Sequence, residues 1–239
     1  NGAARTLAQG DKYGYDYYAH VRRAEAWASG RFTFGGFEAT VAGRLGYSKF
    51  WREGLLRKGL FPGLDDNGNP FTYNGEVITK YDQIDGRPIT SKGESDKKDF
   101  LTGSGKINLG YFISGGHRIY ADAAYITEAP TFNQAFISPR TRNTVMPDLK
   151  TIKTLTADIN YAYSNSGYDV RVTGFYTSIK DQTDVMSFYD DSQNSFTNFA
   201  MSGIDERHVG VELGFKVPTP VPNLSLQGVF TYGRYLYTS

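Results

Sequence analysis

LTGSGKINLGYFISGGHRIYADAAYIT, running from Leu101 to Thr127, is the stretch whose alternation decides the fold. Leu101, Gly103, Gly105, Ile107, Leu109, Tyr111 and Ile113 share one parity, and Thr102, Ser104, Lys106 and Asn108 share the other. After Ser114-Gly115-Gly116 the pattern resumes, with Ile119, Ala121, Ala123 and Tyr125 against Arg118, Tyr120, Asp122 and Ala124. Successive side chains on a strand point to opposite faces, so alternation closed by glycines predicts a β-hairpin. The continuation, EAPTFNQAFISPRTRN from Glu128 to Asn143, is long and polar instead of a tight turn. A short turn at one end of a strand pair and a long loop at the other is the rhythm of antiparallel barrels that cross a membrane.

The same rhythm runs outward in both directions. Residues 1–18 read as a tyrosine-rich lead-in loop, and 19–239 as barrel. Alternation from Val21 to Phe34 turns at Gly35-Gly36 and returns through Phe37, Ala39, Val41, Gly43, Leu45 and Tyr47. A segment from about Arg52 to Asp96, rich in Gly, Asp, Asn and Pro, is too long for a structureless loop of a compact soluble domain, but ordinary on the outer side of a barrel. The third hairpin pairs Thr154–Tyr163 with Tyr168–Ile179, and another polar loop is expected over Asp181–Gly203. The fourth sets Val209, Val211, Leu213, Phe215 and Val217 against a last strand from Leu224 to Tyr237, across a proline-rich turn that cannot continue a ladder. The fold class is therefore all-β, an antiparallel transmembrane barrel segment of about eight strands in four hairpins, with three long loops on one side.

Composition agrees. The 239 residues include 18 Tyr, 16 Phe and 27 Gly but only 3 Met, a bias toward strands. A formal net charge of +1 gives no reason to expect nucleic acid as a partner, and the absence of cysteine excludes disulfides and thiolate sites. No run of about 18 apolar residues exists, so a transmembrane helix is excluded, whereas alternating strands cancel in any average. Aromatics sort by height on the apolar parity. Phe32, Phe34, Phe37, Tyr111, Tyr161, Tyr163, Tyr168 and Phe215 cluster near the short turns, and Tyr47, Trp51, Tyr125 and Tyr176 near the loops. Two aromatic bands around an aliphatic middle form the girdles that a bilayer selects, which makes membrane lipid a partner.

Chemistry is sparse. His20, His117 and His208 have no metal-ligand spacing and no triad signature, so a structural role is expected and no catalytic residue or cofactor is assigned. Asp65, Asn67, Asn69 and Glu76 mimic positions one, three, five and twelve of a calcium loop, but Pro70 stands where that loop needs glycine, so an Asn-Gly turn is the simpler reading. Loop residues suited to a ligand are Trp51, Arg52, Tyr73, Arg87, Phe132, Arg140, Arg142 and Tyr189, with Arg57, Tyr81 and Phe188 behind them. Aromatics stack on rings and arginines bind carboxylates bidentately. Arg44, Lys106, Arg118, Asp122, Asp158, Asp169, Arg171 and Glu212 fall on the polar parity, where pairing across the wall is expected.

The segment Ala129 to Asn143 resembles a stretch in the barrels of TonB-dependent outer-membrane receptors, in the branch with an added N-terminal carboxypeptidase-regulatory-like domain. Ser48-Lys49-Phe50-Trp51-Arg52-Glu53-Gly54-Leu55, Leu60-Phe61-Pro62, Thr173-Gly174-Phe175-Tyr176 and Gly203-Ile204-Asp205 are similar to further pieces of that family, in its order. The resemblance implies a roughly twenty-two-stranded barrel around a plug, sited in the bacterial outer membrane, importing a small-molecule or oligomeric nutrient (a metal chelate, a glycan or similar) with energy delivered by the TonB complex. With about eight strands and no plug, the chain is expected to be a fragment whose partners include the remaining strands and plug of its own receptor. Eight strands with two edges are expected either to close into a smaller barrel or to pair with another copy or segment. The alternatives are an autonomous small outer-membrane barrel with a structural or adhesive role, a soluble carbohydrate-binding sandwich and, last, an enzyme.

Overall fold

A computed structural model of the chain describes residues 7–56, 72–73, 76–77, 83–84, 87–88, 91–191 and 195–239. Eight long antiparallel strands, each hydrogen-bonded to the next, form one sheet: β1 (Tyr17–Phe34), β2 (Phe37–Gly54), β3 (Lys98–Ile113), β4 (His117–Glu128), β5 (Ile152–Asn165), β6 (Tyr168–Asp190), β7 (Ser195–Pro218) and β8 (Ser225–Tyr237). A short strand, Gly93–Glu94, adds to the end of β2. Among the described residues β1 and β8 share no ladder, so the sheet is open and not closed into a small barrel.

The pairing register explains why alternation was so clean. Phe34, Phe37, Tyr111, Ile119, Tyr161, Val172, Leu213 and Phe230 lie in one row that crosses all eight strands. The neighbouring row, Thr33, Glu38, Gly110, Tyr120, Asn160, Thr173, Glu212 and Thr231, is mostly polar. A one-residue slip of any strand would exchange these sets, so the two faces fix the register together. The apolar face is bare: Ile159 at mid-height is 62% exposed. An apolar surface of this extent demands a non-aqueous neighbour.

The turns follow local chemistry. Gly115 and Gly116 take φ of 78° and 86° between β3 and β4, and a Cβ on Gly116 would stand 2.3 Å from the Ser164 carbonyl oxygen. Only glycine fits there. The Pro218–Asn223 turn closes with Thr219 N–H donating to Leu224 O at 3.0 Å.

Two expected loops are corrected. Within the expected loop Asp181–Gly203, residues 181–190 and 195–203 are strand: β6 runs on to Asp190 and β7 begins at Ser195, so the hairpin continues well beyond its neighbours. The ladder shifts register between Ile179, Gln182 and Thr183, with positive φ at Asp181 (58°) and Gly203 (76°). A bulge of this kind breaks the period-two pattern and hides the continuing strands behind polar residues. The lead-in also ends sooner than expected, because β1 starts at Tyr17 opposite Gly54. The long segment after β2 carries two short pairs, Thr72–Tyr73 with Glu76–Val77 and Gln83–Ile84 with Arg87–Pro88.

The buried core is small and lies at the loop end, not within the sheet. Phe50, Ala135 and Phe136 are buried, with Phe100, Phe132, Val145 and Leu149 packed around them. Phe50 shares the parity of Ser48 and Arg52 on the polar face, so the segment after β4 folds back onto that face.

Candidate functional site

The segment between β4 and β5 is built, not slack. Thr131 caps a one-turn helix, α1 (Phe132–Ala135): its hydroxyl accepts from Gln134 N–H and its own N–H donates to Gln134 Oε1 at 2.9 Å. This reciprocal box is what a Thr-x-x-Gln spacing provides. Met146 N–H donates to Ala135 O and Phe136 bridges Val145, closing the segment on itself. Phe136 meets Phe50 edge-on at 6.5 Å between centroids and Phe132 at 4.6 Å.

Arg52 anchors this fold-back. Its side chain is 0% exposed, and its Nε donates to Pro139 O at 2.6 Å while Nη1 donates to Ser91 O at 2.8 Å and to the side-chain oxygen of Asn143. Asn143 in turn donates through Nδ2 to Gly93 O at 3.1 Å and to Lys92 O. A planar guanidinium with several fixed donors suits such a junction, where lysine would leave carbonyls unmet. Arg52 therefore turns no surface to solvent; it ties β2, residues 91–93 and residues 139–143 together.

Around this junction lies an aromatic and cationic patch at the loop end of the polar face. Tyr17 stacks on Phe132 at 6.4 Å and lies 6.2 Å from Tyr15; the Arg52 guanidinium sits 4.9 Å from the Tyr17 ring and Arg140 sits 5.4 Å from the Tyr15 ring. Arg140 and Tyr15 are exposed, Phe132 and Arg142 half-buried. Of the loop residues singled out from sequence, Phe132, Arg140 and Arg52 come together here. Tyr15 and Tyr17 were missed, because a lead-in without period gave them no distinguishing signal.

The other candidates lie elsewhere. Trp51 is on the opposite, apolar face, 7% exposed, stacked on His20 at 4.6 Å with Arg22 and Lys97 each 5.1 Å from its ring. Tyr189 is exposed on the far part of β6, whose partner strand reaches the fold-back through Asn198 Nδ2 donating to Ile137 O at 2.6 Å. Tyr73, Arg87 and Glu76 belong to the short strand pairs, where only the backbone course is described. Asp65, Asn67, Asn69, Arg57 and Tyr81 lie outside the described residues.

Below the patch the polar face carries paired charges. Arg44 lies 3.5 Å from Glu25 and 3.8 Å from Glu128, and Glu38 lies 2.5 Å from Arg31 and 4.0 Å from Arg118. Asn108 donates to Asp122 at 2.7 Å, Asn160 to Asp158 at 2.5 Å and Ser164 to Asp169 at 2.5 Å. A cavity of about 210 Å³, lined by Arg23, Glu25, Arg44, Ser48, Thr102, Glu128 and Thr131, opens under the start of the fold-back. A larger one of about 330 Å³ lies at mid-height, lined by Thr40, Lys106, Asn108, Asp122 and Thr156 among others. His20 lies 2.8 Å from Glu53, His117 2.6 Å from the Tyr161 hydroxyl and His208 2.9 Å from Glu206, three separate pairs in three places.

On the apolar face Phe32, Phe34, Phe37, Tyr47, Tyr111, Tyr125, Tyr161 and Tyr168 are exposed, and Tyr163 and Phe215 half-buried. No helix is long and apolar enough to cross a membrane among the described residues.

Residues 2–239 match the sequence model of a family described as TonB dependent receptor-like, beta-barrel. Among solved structures the chain is similar to the copper transporter OprC, with a TM-score of 0.62, 14% identity, and coverage of 92% of this chain and 30% of that one. It is also similar to the FrpB iron transporter from Neisseria meningitidis, at a TM-score of 0.54 and 13% identity over 94% and 27% of the two chains. The siderophore receptor PirA from Pseudomonas aeruginosa gives 0.52 and 12% over 92% and 44%. The chain thus spans less than half the length of each. No curated protein sequence matches it.

Proposed function

Because the chain belongs to the TonB-dependent receptor β-barrel family, we propose that it is a stretch of wall of an outer-membrane receptor that takes up a nutrient ligand. The observation that carries this reading is the open sheet. Eight strands present one continuous apolar face and one polar face, yet among the described residues both terminal strands keep a free edge. Such edges need pairing, and in a larger barrel the neighbouring strands of the same receptor supply it. A small barrel closed by these strands alone would require the missing ladder between β1 and β8.

In this reading the apolar face meets lipid and the polar face lines the lumen toward the plug, through which the TonB complex would act. The patch of Tyr15, Tyr17, Phe132 and Arg140 overlooks the lumen from the loop side. Exposed rings beside a guanidinium suit a ligand that offers a flat or sugar-like surface and a carboxylate or other anion. Arg52 serves as a positioning residue for that patch. The family is one of receptors and transporters, and uptake, not catalysis, is the activity proposed.

The test is uptake by cells carrying the complete receptor against cells lacking it, across metal chelates, glycans, peptides and vitamins. The reading expects one class to be lost on deletion and on collapse of the proton gradient, and weakened by Arg140→Ala. Uptake of every class unchanged by deletion would oppose it.

A further inference from the structure

Three rows of the polar face meet in the cavity of about 210 Å³ beneath the start of the fold-back. Arg23 faces Ser48 in the uppermost row, Glu25, Gly46 and Thr102 share the next, and Trp27 faces Arg44 in the one below. Glu128 enters from the end of β4, one residue past Thr127, the partner of Gly103. Gly46 is buried, and a Cβ on it would stand 2.6 Å from the Thr102 hydroxyl and 3.2 Å from Glu25 Cγ. Glycine here leaves the room into which Glu25 reaches across the strand.

The charges of this cavity do not cancel pair by pair. Arg44 is shared between two acids, 3.5 Å from Glu25 and 3.8 Å from Glu128, and its buried Nε has no partner among the described residues. One guanidinium between two carboxylates leaves one negative charge over. Arg23 forms no ion pair or hydrogen bond among the described residues, which leaves one positive charge over. The hydroxyls of the buried Ser48 and Thr102 likewise make no hydrogen bond among the described residues.

Surplus cation and surplus acid therefore share one cavity without pairing. Rows of one face stand about 7 Å apart, a gap that a small molecule holding charge-assisted hydrogen bonds at each end spans. An anion alone would suit Arg23 and the two hydroxyls but face the surplus acid, and an ammonium alone would leave Arg23 unmet. A molecule carrying both charges answers both. Trp27 adds a platform beside them: its ring is 76% exposed on the polar face, where no lipid lies against it.

We propose that this cavity binds a small zwitterion, an α-amino acid with an aromatic side chain. Its carboxylate accepts from Arg23, Ser48 and Thr102, its ammonium donates to Glu128 and Glu25, and its ring lies on Trp27. The size of the cavity suits a molecule of this scale. The proposal rests on the reading of the polar face as the lumen of an uptake receptor, and it names a substrate class for the wall below the aromatic patch.

The test is calorimetric titration of the complete receptor in detergent with L-phenylalanine, phenethylamine and hydrocinnamate, which carry both charges, the ammonium alone and the carboxylate alone. Wild type should bind L-phenylalanine, and each half-molecule about tenfold or more weakly than that. Arg23 and Glu128 are both exposed, so their variants should fold as wild type, which heat-modifiable migration checks. Arg23→Gln should weaken L-phenylalanine and hydrocinnamate about tenfold and leave phenethylamine unchanged. Glu128→Gln should weaken L-phenylalanine and phenethylamine and leave hydrocinnamate unchanged, and Trp27→Ala should weaken all three.

No binding of L-phenylalanine by wild type, or equal binding of the three probes, would overturn the site. So would variants that bind as wild type but melt at a lower temperature, which would assign the surplus charges to a segment of the receptor itself. Uptake by cells lacking the receptor separates the two readings. Loss of some other nutrient class on deletion, with no L-phenylalanine bound, refutes the site alone, whereas uptake of every class unchanged by deletion refutes the receptor reading whatever the titration gives.

Discussion

The buried guanidinium of Arg52 donates to the side-chain oxygen of Asn143, 91 residues further along the chain. Asn143 passes the connection on to the backbone of Lys92 and Gly93. The two long connections of the loop end are thereby held to the same strand. Asn143→Ala should cost about 1.5–3 kcal/mol, the range for a hydrogen bond to a charged group. The local consequence is easier to read, because Arg140 and Arg142 are trypsin sites inside the segment that the bond holds. Limited trypsinolysis of the receptor should cut the variant after these residues at least several-fold faster than wild type. Equal rates would mean that the fold-back is held by its aromatic contacts alone.

Those aromatic contacts make their own prediction. Phe136 is 1% exposed and touches Phe50 and Phe132 in the one buried cluster of the described chain. Phe136→Ala should destabilise by about 3–5 kcal/mol, as for other buried aromatics, and because the cluster joins loop to wall the loss should fall on the fold-back. Hydrogen exchange should rise over 129–150 while the β4–β5 ladder stays protected. Uniform exchange across both would contradict the placement of the core.

The two faces of β5 offer a direct comparison. Ile159 and Asn160 are adjacent but belong to the apolar and polar sets respectively. Ile159→Lys puts a charge on the lipid side at mid-height and should cost about 2–4 kcal/mol of membrane stability, whereas Glu212→Lys, at an exposed position of the polar row that holds Asn160, should cost far less. Folding yield in lipid vesicles, read from heat-modifiable migration, checks the difference. Equal penalties would mean that the faces are not distinguished by solvent.

Lys97 donates to Glu94 at 2.8 Å and holds its carboxylate below the ordinary glutamate value of 4.5; Lys97 also stands 5.1 Å from the Trp51 ring. A carboxyl lowered in the folded state contributes fully above its unfolded value, and the contribution is lost as the pH falls through the lowered one. In a Trp27→Phe background, Trp51 emission should therefore stay constant down to about pH 4.5 and change below it. Glu94→Gln should abolish that step. A step that survives the substitution would assign it to another group.

Much of the wall was legible in the sequence because a face exposed to one solvent and a face exposed to another impose period two on every strand. Leu101 to Thr127 shows this with little interruption, and the register places its residues where alternation put them. The β6–β7 extension was illegible for the converse reason. Asp181 and Gly203 shift the register, and beyond them neither face is held to one kind of neighbour, so Val185, Met186, Phe188 and Tyr189 lose parity with the strand below. The candidate patch was half legible. Phe132 and Arg140 stood out as ring and cation in a polar loop, but Tyr15 and Tyr17 join them only through the fold-back of residues 129–150, a contact across more than 110 positions that no local pattern encodes.

If this sheet is one stretch of a larger wall, the native species must be far heavier than the chain itself. Membranes from the producing cells, extracted in detergent and probed with an antibody to residues 129–143, should yield a species several times larger than the 26.6 kDa of this chain. A species near 26.6 kDa that migrates as a folded monomer would rule the larger wall out, since eight strands with free edges would then have to stand alone.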